Sequence, residues 1–231
     1  ILYRNNKFDQ SSNFYEAYLS NPSVNNKLSA KASPALANYT IGYTYFKQED
    51  YGNAKTAFEK AAQSFKGNDL YKDVYGDALL RAGDCAFVKK KYKAAGNFYN
   101  QVFNERLPGA DYALFQNAII TGLSGDDMGK VGEMQTLISG FPRSVYVDDA
   151  AFEIGEAYLN DGNYERATAT FEEITTRYKK SVFAKKALIK LGLISYNQDK
   201  NARAMDYYKQ VVKKYPNTIE AKEALAALQD L

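Results

Sequence analysis

Two consecutive stretches of this chain are copies of one pattern. AAFEIGEAYLNDGNYERATATFEEITTRYKKS, from Ala150, and ALIKLGLISYNQDKNARAMDYYKQVVKKYPNT, from Ala187, run in phase without a gap. A fixed period of about 37 residues marks a repeat architecture, in which each copy must stack on its neighbours to bury an apolar face. Gly155 and Gly192 fall in the first half of each copy, and the small–aromatic pairs Ala167/Phe171 and Ala204/Tyr208 in the second. The i, i+4 spacing of those pairs puts them on one helical face, so each copy predicts two short amphipathic helices.

The same template fits upstream. From Pro34, the residues Gly42, Tyr45, Tyr51, Ala54, Phe58 and Ala61 fall where Gly155, Tyr158, Tyr164, Ala167, Phe171 and Ile174 fall later. From Tyr75, the series is Gly83, Tyr92, Ala95, Tyr99 and Val102, with extra residues in the connection around Lys66 to Lys72 and Ala86 in place of the aromatic. The unit from Asp111 to Ser144 is degenerate: Ala118 takes the glycine position, Met134 the aromatic one, and Lys130 stands where a small residue is expected. Its turn, GLSGDDMGKVG, holds four glycines, each costing a helix interior up to about 1 kcal/mol, so a distorted or longer turn is expected there.

The five units are placed at 34–68, 75–108, 111–144, 148–181 and 185–218. Residues 1–23 read as a truncated half-repeat in which Phe8, Ser11, Tyr15 and Tyr18 match a second helix, so a fragment of a longer array is expected. The polar segment from Ser23 to Pro34 reads equally as a loop or a helical extension. Residues 219–231 read as a C-terminal capping helix, with Leu225 and Leu228 on one side.

Composition excludes several classes. With 45% hydrophobic and 25% charged residues, the chain is too apolar for disorder. The formal net charge of +3 argues for neither a polyanionic partner nor a membrane surface. No apolar run approaches the roughly 20 residues of a spanning helix. Histidine is absent and Cys85 is the single cysteine, so neither an intramolecular disulfide nor the usual zinc or cysteine–histidine chemistry can be assembled. SGDDMGKV imitates a phosphate loop, but Ser124 and Val131 occupy positions that need Gly and Ser or Thr. Asp126 and Asp127 lack the further ligands of a calcium loop. No enzyme activity, cofactor or metal is expected.

A paired-helix unit with Gly in the first helix, Tyr three residues on, then Tyr, Ala, a large aromatic and a closing Pro resembles the tetratricopeptide repeat (TPR). The resemblance covers nearly the whole chain and implies an all-α fold, a right-handed superhelix (α-solenoid) of antiparallel helix pairs. The spacing, and endings such as YPNT, are similar to bacterial envelope TPR proteins of the Tol-Pal coordinator and outer-membrane assembly lipoprotein type. That likeness implies a periplasmic or outer-membrane-associated protein, with the cytoplasm as the alternative. The chain departs from the pattern in lacking Trp and in carrying Ser195 and Asn201 at two aromatic positions.

The resemblance implies a non-catalytic scaffold that binds a protein or peptide on the face lined by the first helices. Phasing from each glycine, that face carries Tyr39, Tyr43 and Phe46, then Leu80, Asp84 and Phe87, with Arg81 nearby. It continues with Phe115 and Ile119, then Phe152, Glu156 and Leu159, then Ile189, Leu193 and Tyr196. As a contiguous set these would form an interaction groove, while singly some would pack against neighbouring second helices. Tyr39 and Tyr43 stand where a TPR clamp for acidic C-terminal peptides would want Lys and Asn, so that mode is not expected. The alternative is RNA binding through Lys89, Lys90, Lys91 and Lys93, and through Lys179, Lys180, Lys185, Lys186 and Lys190.

Overall fold

The computed structural model describes residues 8–20 and 34–231. Ile1 to Tyr3, and the segment from Ser23 up to Pro34, lie outside the described residues. Twelve α-helices and one short 3-10 helix, and no strand, occur among the described residues.

The helices run α1 (Phe8–Leu19), α2 (Pro34–Lys47), α3 (Tyr51–Phe65), α4 (Lys72–Val88), α5 (Tyr92–Asn104) and α6 (Ala110–Leu123). They continue with α7 (Asp127–Gly140), α8 (Val147–Asn160), α9 (Tyr164–Arg177), α10 (Phe183–Asn197), α11 (Asn201–Lys214) and α12 (Ile219–Gln229). Two compact units divide the chain, Ile1–Ile120 and Thr121–Leu231.

In both units the contact between paired helices is a ring seated on a glycine. In the first unit, a Cβ on Gly42 would meet Phe58 Cδ1 at 2.8 Å, and one on Gly83 would meet Tyr99 Cε1 at 2.6 Å. In the second, Gly155 and Gly192 stand in the same relation to Phe171 and Tyr208, at 2.5 and 2.4 Å. Phe58, Tyr99, Phe171 and Tyr208 are all buried. Burying such a ring contributes about 1.5–3 kcal/mol, more than the roughly 1 kcal/mol a glycine costs a helix interior. The glycines are therefore net stabilising where they lie.

Three-residue turns join the paired helices, at 48–50, 89–91, 124–126, 161–163 and 198–200. The middle residue of each turn is left-handed: Glu49, Lys90, Gly125, Gly162 and Asp199 have φ of 61°, 56°, 89°, 74° and 58°. Three of the third residues cap the following helix. Asp50, Asp126 and Asn163 accept from the backbone N–H of Asn53, Gly129 and Arg166 at 3.1, 2.7 and 3.1 Å. Lys91 and Lys200 occupy the same position with no side-chain cap.

The turn of the glycine-rich unit is thus neither longer nor irregular, which corrects the expectation from its sequence. Gly125 supplies the left-handed residue and Asp126 the cap, and the α7 that follows is 14 residues long, like α9. Lys130 is accommodated because Gly122 leaves room for its stem: a Cβ on Gly122 would lie 2.7 Å from Lys130 Cδ. The buried stem carries its ammonium to an ion pair with Glu153. Earlier in the chain, the extra residues after α3 form the 3-10 turn Asp69–Tyr71, in which Asn68 accepts from Leu70 N at 3.1 Å.

At the other end, α12 packs with Ala221 and Ala224 buried, while Leu225 is 50% exposed. The alanines, rather than Leu225, make the contact.

Candidate functional site

In the first unit, the first-helix face is built around a carboxylate absent from the expected set. Asp77 Oδ2 accepts hydrogen bonds from the hydroxyls of Tyr39 (2.7 Å) and Tyr43, both on α2. Its Oδ1 accepts from Arg81 Nε at 3.3 Å, and Arg81 also pairs with Asp84. Asp84 Oδ1 in turn accepts from Tyr99 and Tyr112, each at 2.8 Å. The Arg81 guanidinium lies 5.7 Å from the Tyr112 ring centroid. One chain of charge-assisted hydrogen bonds thus joins α2, α4, α5 and α6.

Burial and these partners shift the titrations. Burial, then the Asp77 hydrogen bond, pushes the Tyr39 hydroxyl up to about 12, and Tyr43 is raised further by the same causes. Asp84 is raised by burial, although Arg81 and the two tyrosines act against it. For Arg81, burial works against the charge, and the carboxylates of Asp84 and Asp77 outweigh it. Its charge is already matched twice. Cys85 is fully buried and its thiol is pushed up to about 12 by burial, so it is a packing residue rather than a nucleophile.

The other expected residues of this unit divide by burial. Leu80 and Asp84 are buried; Tyr39, Tyr43, Phe46, Arg81, Phe87, Phe115 and Ile119 are half-buried. Phe46 packs edge-on against Tyr51 at 5.3 Å, and Phe87 against Tyr92 at 5.4 Å. Both second-helix packing and an open face therefore draw on the same rings. Asp77 and Tyr112, which the phasing from glycine missed, lie one turn before Leu80/Arg81 and Phe115 on α4 and α6, so extending that phase by a turn would have found them.

In the second unit, Phe152 is buried between Phe183 and Phe171, with ring centroids at 5.0 and 5.5 Å. Glu156 Oε2 accepts from Lys190 Nζ at 2.8 Å, linking α8 to α10. Leu159 and Ile189 are half-buried, whereas Leu193 and Tyr196 are 39% and 47% exposed. Those two open side chains lie one turn apart on α10.

The family relationship follows from the repeats themselves. Tetratricopeptide repeat models match residues 39–110, and residues 149–181 and 186–218, together more than half of the chain. The chain belongs to the tetratricopeptide repeat family. Solved TPR structures share its fold. PilW, described as a widely conserved type IV pilus biogenesis factor, aligns with a TM-score of 0.65 at 15% identity, covering 97% of this chain and 93% of PilW. PilF of Pseudomonas aeruginosa aligns with a TM-score of 0.61 at 13% identity, covering 97% and 99%. YrrB, described as a TPR protein with an unusual peptide-binding site, aligns with a TM-score of 0.59 at 15% identity, covering 85% and 92%. No curated protein matches the chain in a sequence search.

TPR folds are protein-interaction folds, and neither the family nor these structures supports the nucleic-acid reading. In the second lysine run, Lys185 pairs with Glu220 at 2.9 Å and Lys190 with Glu156. That leaves a smaller free charge than the sequence suggests. Among the described residues there is no group of three or more potential metal ligands from His, Cys, Asp and Glu. No described helix is long and apolar enough to cross a membrane.

Proposed function

We propose that this TPR chain is a non-catalytic scaffold that binds a protein or peptide partner on its first-helix faces. The observation that carries this reading is the open pair Leu193 and Tyr196 on α10. Both side chains offer apolar area to solvent next to half-buried Ile189. In the first unit, Arg81 is held by Asp77 and Asp84, which favours a partner that does not depend on an acidic terminus. A cell-envelope role, periplasmic or at the outer membrane, is supported by the repeat style and by the fold likeness to the pilus biogenesis factor PilW.

Site-specific photocrosslinking in the source organism tests this. A photoreactive residue at Tyr196 should yield a discrete crosslinked partner, and the same residue at exposed Lys209 on α11 should not. Crosslinks at Lys209 alone would sink the assignment of the face.

A further inference from the structure

The second unit repeats a feature that core packing does not explain. Val145, Val182 and Ile219 recur at the 37-residue period, each at the entry to α8, α10 or α12. They are 78%, 64% and 73% exposed. The residue before each one fixes the local backbone: Ser144, Ser181 and Thr218 accept through their hydroxyls from the backbone N–H of Tyr146, Phe183 and Ala221, at 3.1, 3.0 and 3.2 Å. Those hydrogen bonds need the hydroxyl and place no demand on the residue that follows. A lone exposed aliphatic side chain is ordinary, whereas the same one in three successive copies makes a row. Helix α10 packs against both α8 and α12, and one reversed helix lies between each pair in the chain, so the three helix entries share one edge of the unit.

Charge separates this edge from the opposite one. The connections 141–146, 178–182 and 215–218 contain no Asp or Glu and carry Arg143, Lys179 and Lys180, with Lys213 and Lys214 in the last turn of α11 beside the third. At the other edge, the turns 124–126, 161–163 and 198–200 each contain an Asp, and Lys200 is their one basic residue. Arg143, Lys179, Lys180 and Lys213 are exposed and form no ion pair among the described residues. The acids in the first turns of α8 and α12, Asp148, Asp149 and Glu220, are half-buried, and Glu220 is paired with Lys185 at 2.9 Å. The formal net charge of +3 averages this local excess away.

Exposed aliphatic side chains set among unpaired cations are the composition of a surface that rests on an anionic bilayer, where the apolar groups enter the interface and the cations meet the lipid phosphates. We propose that this edge of the second unit docks on a bilayer containing anionic phospholipid, with Val145, Val182 and Ile219 in the interface and Arg143, Lys179, Lys180 and Lys213 on the headgroups. A nucleic acid would engage the cations and leave the aliphatic row unused. Leu193 and Tyr196 lie roughly 16 Å or more further along α10 from Val182, at about 1.5 Å per residue. The edge can therefore hold a membrane while the α10 face stays open, and either assignment can fail without the other.

The test is sedimentation of the intact chain with vesicles of phosphatidylcholine, alone or with about 30% phosphatidylglycerol. The wild type should bind the anionic vesicles, more weakly as salt rises, and should leave the neutral ones unbound. Val145→Ser/Val182→Ser/Ile219→Ser and Arg143→Gln/Lys179→Gln/Lys180→Gln/Lys213→Gln change exposed side chains, so each should keep its Tm and bind anionic vesicles at least about tenfold more weakly. Leu193→Asp/Tyr196→Asp should bind vesicles as the wild type does. The chain has no Trp, so Val182→Trp is a single reporter whose fluorescence should be quenched by phosphatidylglycerol brominated on its acyl chains, while Asp161→Trp at the opposite edge should not be quenched. No binding of the wild type to anionic vesicles, undiminished binding of the serine variant, quenching of Asp161→Trp alone, or poly(U) RNA bound as tightly as the anionic vesicles would each overturn the proposal.

Discussion

Gly155 lies so close beneath Phe171 that an added Cβ would sit 2.5 Å from the ring carbon Cε1. Because both residues are buried, neither the helix nor the ring has free space to give. We expect Gly155→Ala to destabilise the second unit by about 1–3 kcal/mol, the usual cost of overpacking, despite alanine's better helix propensity. The degenerate repeat carries Ala118 and Met134 at the matching positions, and an unbranched thioether adapts where a ring cannot. Adding Phe171→Met should therefore recover part of the loss. Urea unfolding of the two single variants and the double variant measures the coupling; strict additivity would refute steric conflict as the cause.

The turns make a prediction of opposite sign. Lys91 and Lys200 stand at the N-cap position where Asp50, Asp126 and Asn163 accept a backbone hydrogen bond. Lys91→Asp and Lys200→Asp should each stabilise by about 0.5–2 kcal/mol, and Asp126→Ala should cost a similar amount. Lys90→Gly should add up to about 1 kcal/mol, since Lys90 is left-handed at φ 56°. Hydrogen exchange in α5 reads the Lys90 and Lys91 variants directly, and unchanged protection would contradict the capping account.

Asp77 satisfies two tyrosine hydroxyls and one guanidinium edge. Asp77→Ala leaves these groups without that acceptor, a loss we place at about 1–3 kcal/mol. Tyr43→Phe, which removes one donor and leaves the carboxylate held by Tyr39 and Arg81, should cost less. Thermal unfolding of both variants checks the order, which would be reversed if Tyr43 packing rather than the carboxylate held the face.

The same network fixes an alkaline limit. Tyr39 ionises at about 12 in the fold against 10.0 ordinarily, so between those values the unfolded chain loses this proton first. The stability this hydroxyl provides is complete below pH 10 and is lost as the pH rises towards about 12. Tyr39→Phe should flatten the decline of unfolding free energy over that range, and an unchanged slope would assign the decline to other groups.

The helices, their pairing and the ring-on-glycine contacts were legible in the sequence because each recurs in phase, and repetition turns a weak local signal into a register. The glycine-rich turn was misread because propensity was weighed above that register. Gly122 and Gly125 look disruptive by composition, yet one makes room for Lys130 and the other is the left-handed residue every turn needs. Asp77 was not found because its partners Tyr39 and Tyr43 lie a whole repeat away and the phase taken from each glycine stopped one turn short of it.

The proposed partner surface is tested most directly by an affinity. Once the partner crosslinked through Tyr196 is in hand, its binding isotherm is measured with the wild type, with Leu193→Asp/Tyr196→Asp, and with Lys209→Asp as control. Leu193 and Tyr196 are 39% and 47% exposed, so all three chains should fold alike. A loss of at least about tenfold in affinity for the double variant alone, equivalent to roughly 1.4 kcal/mol, is the expected result. Identical isotherms for all three would contradict the account.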